Sequence, residues 1–210
     1  MSGISSSAAT ARLTVTTPAT TDVHPLRAQL GSALHDHQAL ALLELGDTRC
    51  TLLVDDGGPG HATPVVHCMP LGVQLLTQRT FKKGMPTETQ LETGIMVVED
   101  AVMPLARLVP DGALLASRDP LLRQIARQAT GDPNLGNATP QSVSREAIEA
   151  LFDRMVQQAG RTYGSPDPDA PHTPEAAAAL LLLREALHHW QCNHLHLLPT
   201  PTQPGPSIHP

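Results

Sequence analysis

The stretch Ala39-Leu-Ala-Leu-Leu-Glu-Leu-Gly-Asp-Thr-Arg-Cys-Thr-Leu-Leu-Val-Asp-Asp-Gly-Gly-Pro-Gly60 sets the fold class. Ala39 to Leu45 and Cys50 to Val54 are apolar runs of strand length, and Gly46-Asp47 between them is a turn. Asp55 to Gly60 supplies a second turn, after which Val65 to Met69 and Val73 to Thr80 continue the pattern, with Pro64 and Pro70 at strand ends. Connections this short cannot hold crossover helices, so the four segments read as an antiparallel meander.

Upstream the period changes. Leu26, Leu30, Ala33, Leu34 and His37 recur at helical spacing, and Pro25 stands near the start, which predicts an amphipathic first helix. Residues 1–23 read as a largely disordered segment in which Leu13 to Thr17 alternates like an edge strand.

Downstream the chain turns helical. Thr87 and Gln90 form a capping box ahead of Leu91, Ile95, Val98, Val102 and Leu105, and Pro104 should kink or end that helix. Ala113 to Ala116 reads as a final short strand. Asp119 and Pro120 open a helix that Gly131 stops, and Ser144 caps another carrying Ile148, Leu151, Phe152 and Met155. Residues 131–143 between them, rich in helix breakers, read as a loop. The organisation is thus an α+β domain over 24–160 with an N-terminal helix, an antiparallel β-meander and a helical C-terminal half. A Pro/Asp-rich linker (161–173), a C-terminal helix with a short extension (174–198) and a disordered tail (199–210) complete the chain.

Composition narrows the function classes. The chain has 210 residues, a formal net charge of -6 and one tight basic pair, Lys82-Lys83, which argues against nucleic acid as a partner. Aromatic residues are scarce, so the core must be aliphatic. Cys50, Cys68 and Cys192 are odd in number and outside any Cys-x-x-Cys motif, which fits a reducing cytoplasm better than a disulfide framework. The longest apolar run, Ala176 to Leu183, is too short to span a bilayer, so no membrane insertion is expected.

The concentration of chemistry-bearing residues is Glu185-Ala-Leu-His-His-Trp-Gln-Cys-Asn-His-Leu-His196. At about 100° per residue, Glu185, His188, His189 and Cys192 share one face of the last helix, opposite Leu180, Leu183 and Leu187. Leu181 and Leu182 lean towards the polar side, so the middle of that helix is apolar all round and should be buried by two neighbours. Two i,i+4 pairs, Glu185 with His189 and His188 with Cys192, can each offer ligands, but the helix spreads all four too far for one tetrahedral centre. His35, His37, His67 and Cys68 are the candidates to complete it. A transition metal such as Zn or Fe is therefore chemically reasonable but not the favoured reading, and the absence of a second Glu-x-x-His argues against a di-iron bundle.

Elsewhere the signals are structural. Cys68 and Cys50 read as buried strand residues, and Asp55 to Gly60 lacks the Gly-Lys-Ser/Thr ending of a phosphate loop. Glu92 and Glu99 read as a solvated helix face. No nucleophile elbow is present. The expectation is a non-enzymatic accessory protein that uses apolar helix and sheet surface to hold a protein partner or form a homodimer. The alternatives are a metal-binding protein or metalloenzyme built on the C-terminal cluster, and a small-molecule binding domain with a pocket between the meander and the Thr87 helix.

Overall fold

Strand β1 (Leu40–Glu44) is apolar at every position but its last, and such a strand belongs in the middle of a sheet covered on both faces. The structure, a computed structural model, describes residues 23–58, 63–137, 139–160 and 167–199. In it β1 lies inside a mixed six-stranded sheet. The remaining strands are β2 (Cys50–Asp55), β3 (Val65–Met69), β4 (Leu114–Ser117), β5 (Gln141–Ser144) and β6 (His194–Leu197), in the spatial order β3-β2-β1-β4-β6-β5.

The first three strands form the expected meander: β1 pairs antiparallel with β2, Leu42 opposite Leu53, and β2 antiparallel with β3, Leu52 opposite His67. Beyond β1 the pairing changes. β4 runs parallel to β1 and β6 parallel to β4, while β5 closes the edge antiparallel to β6. The α+β class holds, but the order of elements differs from the expectation: the short strand expected at Ala113 to Ala116 is present as β4 and is not the last, because β5 and β6 follow it among the helices of the C-terminal half.

Among the described residues six α-helices accompany the sheet: α1 (His24–Leu30), α2 (Val73–Arg79), α3 (Glu88–Ala106), α4 (Pro120–Thr130), α5 (Arg145–Ala159) and α6 (Pro174–His189). Side-chain alternation along β1 separates two cores. Leu40 and Leu42 face the smaller one with Leu26 and Leu30 of α1, whereas Ala41 and Leu43 face the larger one under the remaining helices. Helix α6 is the centre of the larger core. From Ala176 to Leu183 every residue is buried, and α2, α3, α4 and α5 all pack on it, as a helix apolar on all sides requires.

Several segments depart from their expected form. The first helix, expected to carry Leu34 and His37 on its apolar face, ends at Leu30, a 3-10 turn follows over Gly31–Ala33, and His37 takes a positive φ of 63°. Val73 to Thr80 was expected as a fourth meander strand and is α2, whose buried Val73, Leu76 and Thr77 follow i, i+3, i+4 spacing after Pro70 and Gly72. Residues 131–143 are not wholly irregular, since β5 begins at Gln141. Pro104 lies in the last turn of α3, which ends at Ala106. The expected edge strand at Leu13 to Thr17, the linker residues 161–166 and the tail from 200 lie outside the described residues.

Caps read from sequence are present. Thr87 Oγ1 accepts from the Gln90 backbone N–H at 3.4 Å and Gln90 Oε1 accepts from the Thr87 backbone N–H at 2.9 Å, so two N-terminal groups of α3 are satisfied reciprocally. Thr87→Ala removes the first of these bonds and is expected to lower stability by about 1 kcal/mol, readable as a lower urea midpoint with an unchanged slope. No described helix is long and apolar enough to cross a membrane.

Candidate functional site

The C-terminal His/Cys stretch is divided by the end of α6. The helix stops at His189, Trp190 caps it while donating Nε1–H to the Val102 carbonyl at 3.1 Å, and Gln191 takes a positive φ of 53°. This turn removes Cys192 from the helical face that sequence spacing assumes. Cys192 is buried, its Sγ lies 3.5 Å from the Trp190 carbonyl, and burial pushes its thiol up to about 11, which is the behaviour of a core cysteine. His194 and His196 continue into β6, where burial first, and then neighbouring His194, lower the pKa of His196.

Of the proposed ligands, Glu185 and His189 come together. His189 Nε2 lies 3.5 Å from Glu185 Oε2 and 3.6 Å from Glu99 Oε1, a carboxylate that sequence spacing assigned to open surface. His188 is exposed and lines a shallow groove with Arg145, Glu146, Glu149 and Asp153. His35 borders a separate cavity shared with Cys192, His194 and His196, while His37 Nδ1 contacts the Gly57 carbonyl at 3.3 Å. His67 and Cys68 sit on β3, four strand positions from β6, or about 19 Å at the usual strand spacing. Burial lowers the pKa of His67. Between α2 and α3 there is a groove lined by Leu71, Leu75, Arg79, Val97 and Asp100, close to where a small-molecule pocket was expected.

A second constellation escaped the sequence reading. Strands β1 and β4 are parallel neighbours, and from β1 the chain goes to β2 and β3 on one side, then to β4 and β6 on the other. The sheet order therefore reverses between β1 and β4, and the crevice beyond their carboxyl ends is where open α/β sheets bind ligands. At this edge Glu44 ends β1 and Arg118 follows β4, with Arg118 Nε donating to Glu44 Oε1 at 2.5 Å; both side chains remain partly exposed.

The edge is built tightly. Ser117 Oγ donates to the Leu43 carbonyl at 2.7 Å and accepts from the Asp119 backbone N–H at 3.0 Å. Asp119 Oδ2 accepts from Leu45 N–H at 3.1 Å, while Oδ1 caps α4 through Leu121 and Leu122. One carboxylate thus locks the end of β1 to the start of α4. On the other flank the β1–β2 turn meets the start of α2: Val73 N–H donates to the Gly46 carbonyl at 2.9 Å and Leu75 N–H to the Asp47 carbonyl at 3.1 Å. A Cβ on Gly72 would stand 2.3 Å from the Gly46 carbonyl oxygen and 2.6 Å from Arg49 N, so only glycine permits this approach. The exposed Asp47, Thr48 and Arg49 are held on that turn. Gly46-Asp47 was legible as a turn; its meeting with Gly72 follows the antiparallel β2–β3 pairing, whereas the Glu44–Arg118 contact depends on the parallel β1–β4 pairing, which no local signal announces.

No protein-family model matches the chain, and no curated protein matches it in sequence. Solved structures do match its fold. A PPX-GPPA enzyme of Aquifex aeolicus superposes with a TM-score of 0.59 at 14% identity over 81% of this chain and 56% of its own. An exopolyphosphatase from Cytophaga hutchinsonii gives 0.58 at 12% identity over 82% and 56%, and an exopolyphosphatase-like protein gives 0.58 at 15% over 76% and 55%. The chain spans just over half the length of these structures. This finding overturns the expectation of a non-enzymatic accessory protein whose work is protein binding: the solved structures that share the fold are described as Ppx/GppA enzymes and exopolyphosphatases. The apolar surface behind that expectation, the all-round apolar face of α6, is the buried core of the sheet's helical layer.

Proposed function

We propose that the chain is a phosphatase, hydrolysing phosphoanhydride or phosphate-ester bonds in the crevice beyond β1 and β4. The observation that carries this is the Glu44–Arg118 pair at the point where the sheet order reverses. The fold likeness to structures described as exopolyphosphatases supports the same reading and suggests condensed phosphates as the first substrates to try.

The chemistry asks for two things. A carboxylate must take a proton from the attacking water as its oxygen bonds to phosphorus, while the bridging P–O bond breaks and the leaving oxygen keeps the electron pair. Fixed cationic N–H groups must hold the charge on the phosphoryl oxygens, and a guanidinium fork suits that geometry. Glu44 offers the first and Arg118 the second, with Arg49 on the adjacent turn as a further cation. Asp119 serves a different purpose, since its two oxygens are spent on Leu45, Leu121 and Leu122 and position the edge.

Phosphate release from inorganic polyphosphate and from a nucleoside triphosphate tests the proposal. Glu44→Gln is expected to lower kcat about 100-fold or more with little change in KM, as loss of a general base does, while Arg118→Ala raises KM. Equal release by the parent chain and Glu44→Gln, or none by the parent, would overturn the reading. A reducing cytoplasm is the compartment proposed, consistent with the free Cys50, Cys68 and Cys192.

A further inference from the structure

We infer that Glu99, Glu185 and His189 form a binding site for a divalent transition-metal ion of the Zn2+ type, separate from the crevice beyond β1 and β4. Helix α6 leads directly into β6, so its last turn lies at the amino ends of the parallel strands, opposite the edge that carries Glu44 and Arg118.

His189 Nε2 stands at ion-pair distance from two carboxylates and hydrogen-bonds to neither. The nitrogen is buried and makes no other hydrogen bond, and the two carboxylate oxygens lie 3.5 and 3.6 Å from it. One oxygen from each of Glu99 and Glu185 and one nitrogen of His189 all fall within 4.8 Å of one another, and this is the group of that kind among the described residues. Metal–ligand bonds of about 2.0–2.2 Å in a tetrahedral shell put neighbouring ligand atoms roughly 3.3–3.6 Å apart, which the two measured separations match.

The surroundings favour the same reading. Glu185 is 1% exposed, so its charge needs compensation. Arg184 supplies part of it by donating to Oε1, and the same guanidinium donates to Glu149 Oε2 at 2.8 Å and stacks on Phe152. It thereby orients the carboxylate as an outer-shell donor and leaves Oε2 turned towards His189. Two carboxylates and a neutral imidazole balance a divalent charge. One nitrogen with two oxygens suits zinc or a similar first-row ion, and the half-exposed Glu99 side leaves room for a water as fourth ligand. His188, whose ring meets that of His189 edge-on at 5.1 Å, opens onto the other groove and is not a ligand.

The test uses the full chain, stripped with chelator and dialysed against ZnCl2. One zinc per chain is expected, with a rise in Tm on loading and visible d–d bands when Co2+ replaces zinc. Glu99→Gln and His189→Gln each weaken zinc binding by about 10-fold or more and abolish the Tm rise, while the metal-free variants unfold cooperatively as the parent does. Glu99 and His189 are used because both are partly exposed; Glu185 is too buried for its loss to be read cleanly. His188→Gln and Glu44→Gln keep full zinc binding. Substoichiometric zinc in the parent, or parent-like binding in both Glu99→Gln and His189→Gln, overturns the site, and neither result bears on phosphate release at Glu44.

Discussion

Leu181→Ala is expected to destabilise the protein by about 3 kcal/mol, and adding Gly94→Ala to recover about 1–2 kcal/mol of that loss, a third to two thirds. Leu181 is fully buried on α6, and its Cδ2 reaches the backbone of α3 at Gly94: a Cβ built there would lie 2.9 Å from that methyl carbon and 3.2 Å from Phe81 Cε1. The two helices touch through a leucine set against a glycine. Shortening Leu181 opens a cavity, and a methyl at position 94 then occupies part of it while relieving the conformational cost of a mid-helix glycine, about 1 kcal/mol. In the parent chain the same Gly94→Ala must displace Leu181 and gains little or loses stability. Urea unfolding of the four proteins of the cycle reads the coupling. Equal effects of Gly94→Ala in both backgrounds would show that the α3–α6 contact is not as described.

Arg123→Met is expected to cost about 3 kcal/mol or more, and Arg123→Lys to restore little of it. Arg123 is 5% exposed on α4, and its guanidinium donates to the Gly136 carbonyl and, at 2.6 Å, to the Leu198 carbonyl. Burial first, and the charge of Arg127 second, lower its pKa. Removing the fork leaves two carbonyls short of donors, each worth about 1–3 kcal/mol when buried. Lysine brings a single ammonium where two groups in different directions must be met. The loss should also be local. Arg127 Nε reaches the Leu135 carbonyl at 3.2 Å, so the segment around Gly136 is held to α4 by two arginines, and amide exchange there should accelerate more than in β1. Lysine-restored stability would mean that charge, not the fork, holds the segment.

Local signals carried the reading of this chain wherever structure is locally determined. The Thr87 capping box, Asp119-Pro120 and Ser144 marked helix starts correctly, because each satisfies its own backbone groups within a few residues. The β1–β2–β3 meander followed from turn length. Where short apolar segments were ambiguous, pattern alone misassigned them: Val73 to Thr80 reads equally as strand or helix until Gly72 is seen docked on Gly46 and Asp47. The cluster of Glu99, Glu185 and His189 was half legible. Glu185 and His189 share a side by helical geometry, but Glu99 joins them only because α3 packs on α6, and Cys192 leaves because Gln191 turns the chain.

The sequence by itself determined the α+β class, the caps, the aliphatic core and an α6 that had to be buried, since these depend on periodicity and on groups close in the chain. The tertiary structure alone decided the rest. Parallel pairing of β1 with β4 and of β4 with β6 joins residues more than 70 positions apart, leaves no short-range signature, and brings Glu44 and Arg118 together at one edge of the sheet, opposite the edge near Glu99 and His189. What buries the α6 leucines was decided in the same way: once the sheet extends past β1, it needs a helical layer to cover it, and α6 lies at the centre of that layer.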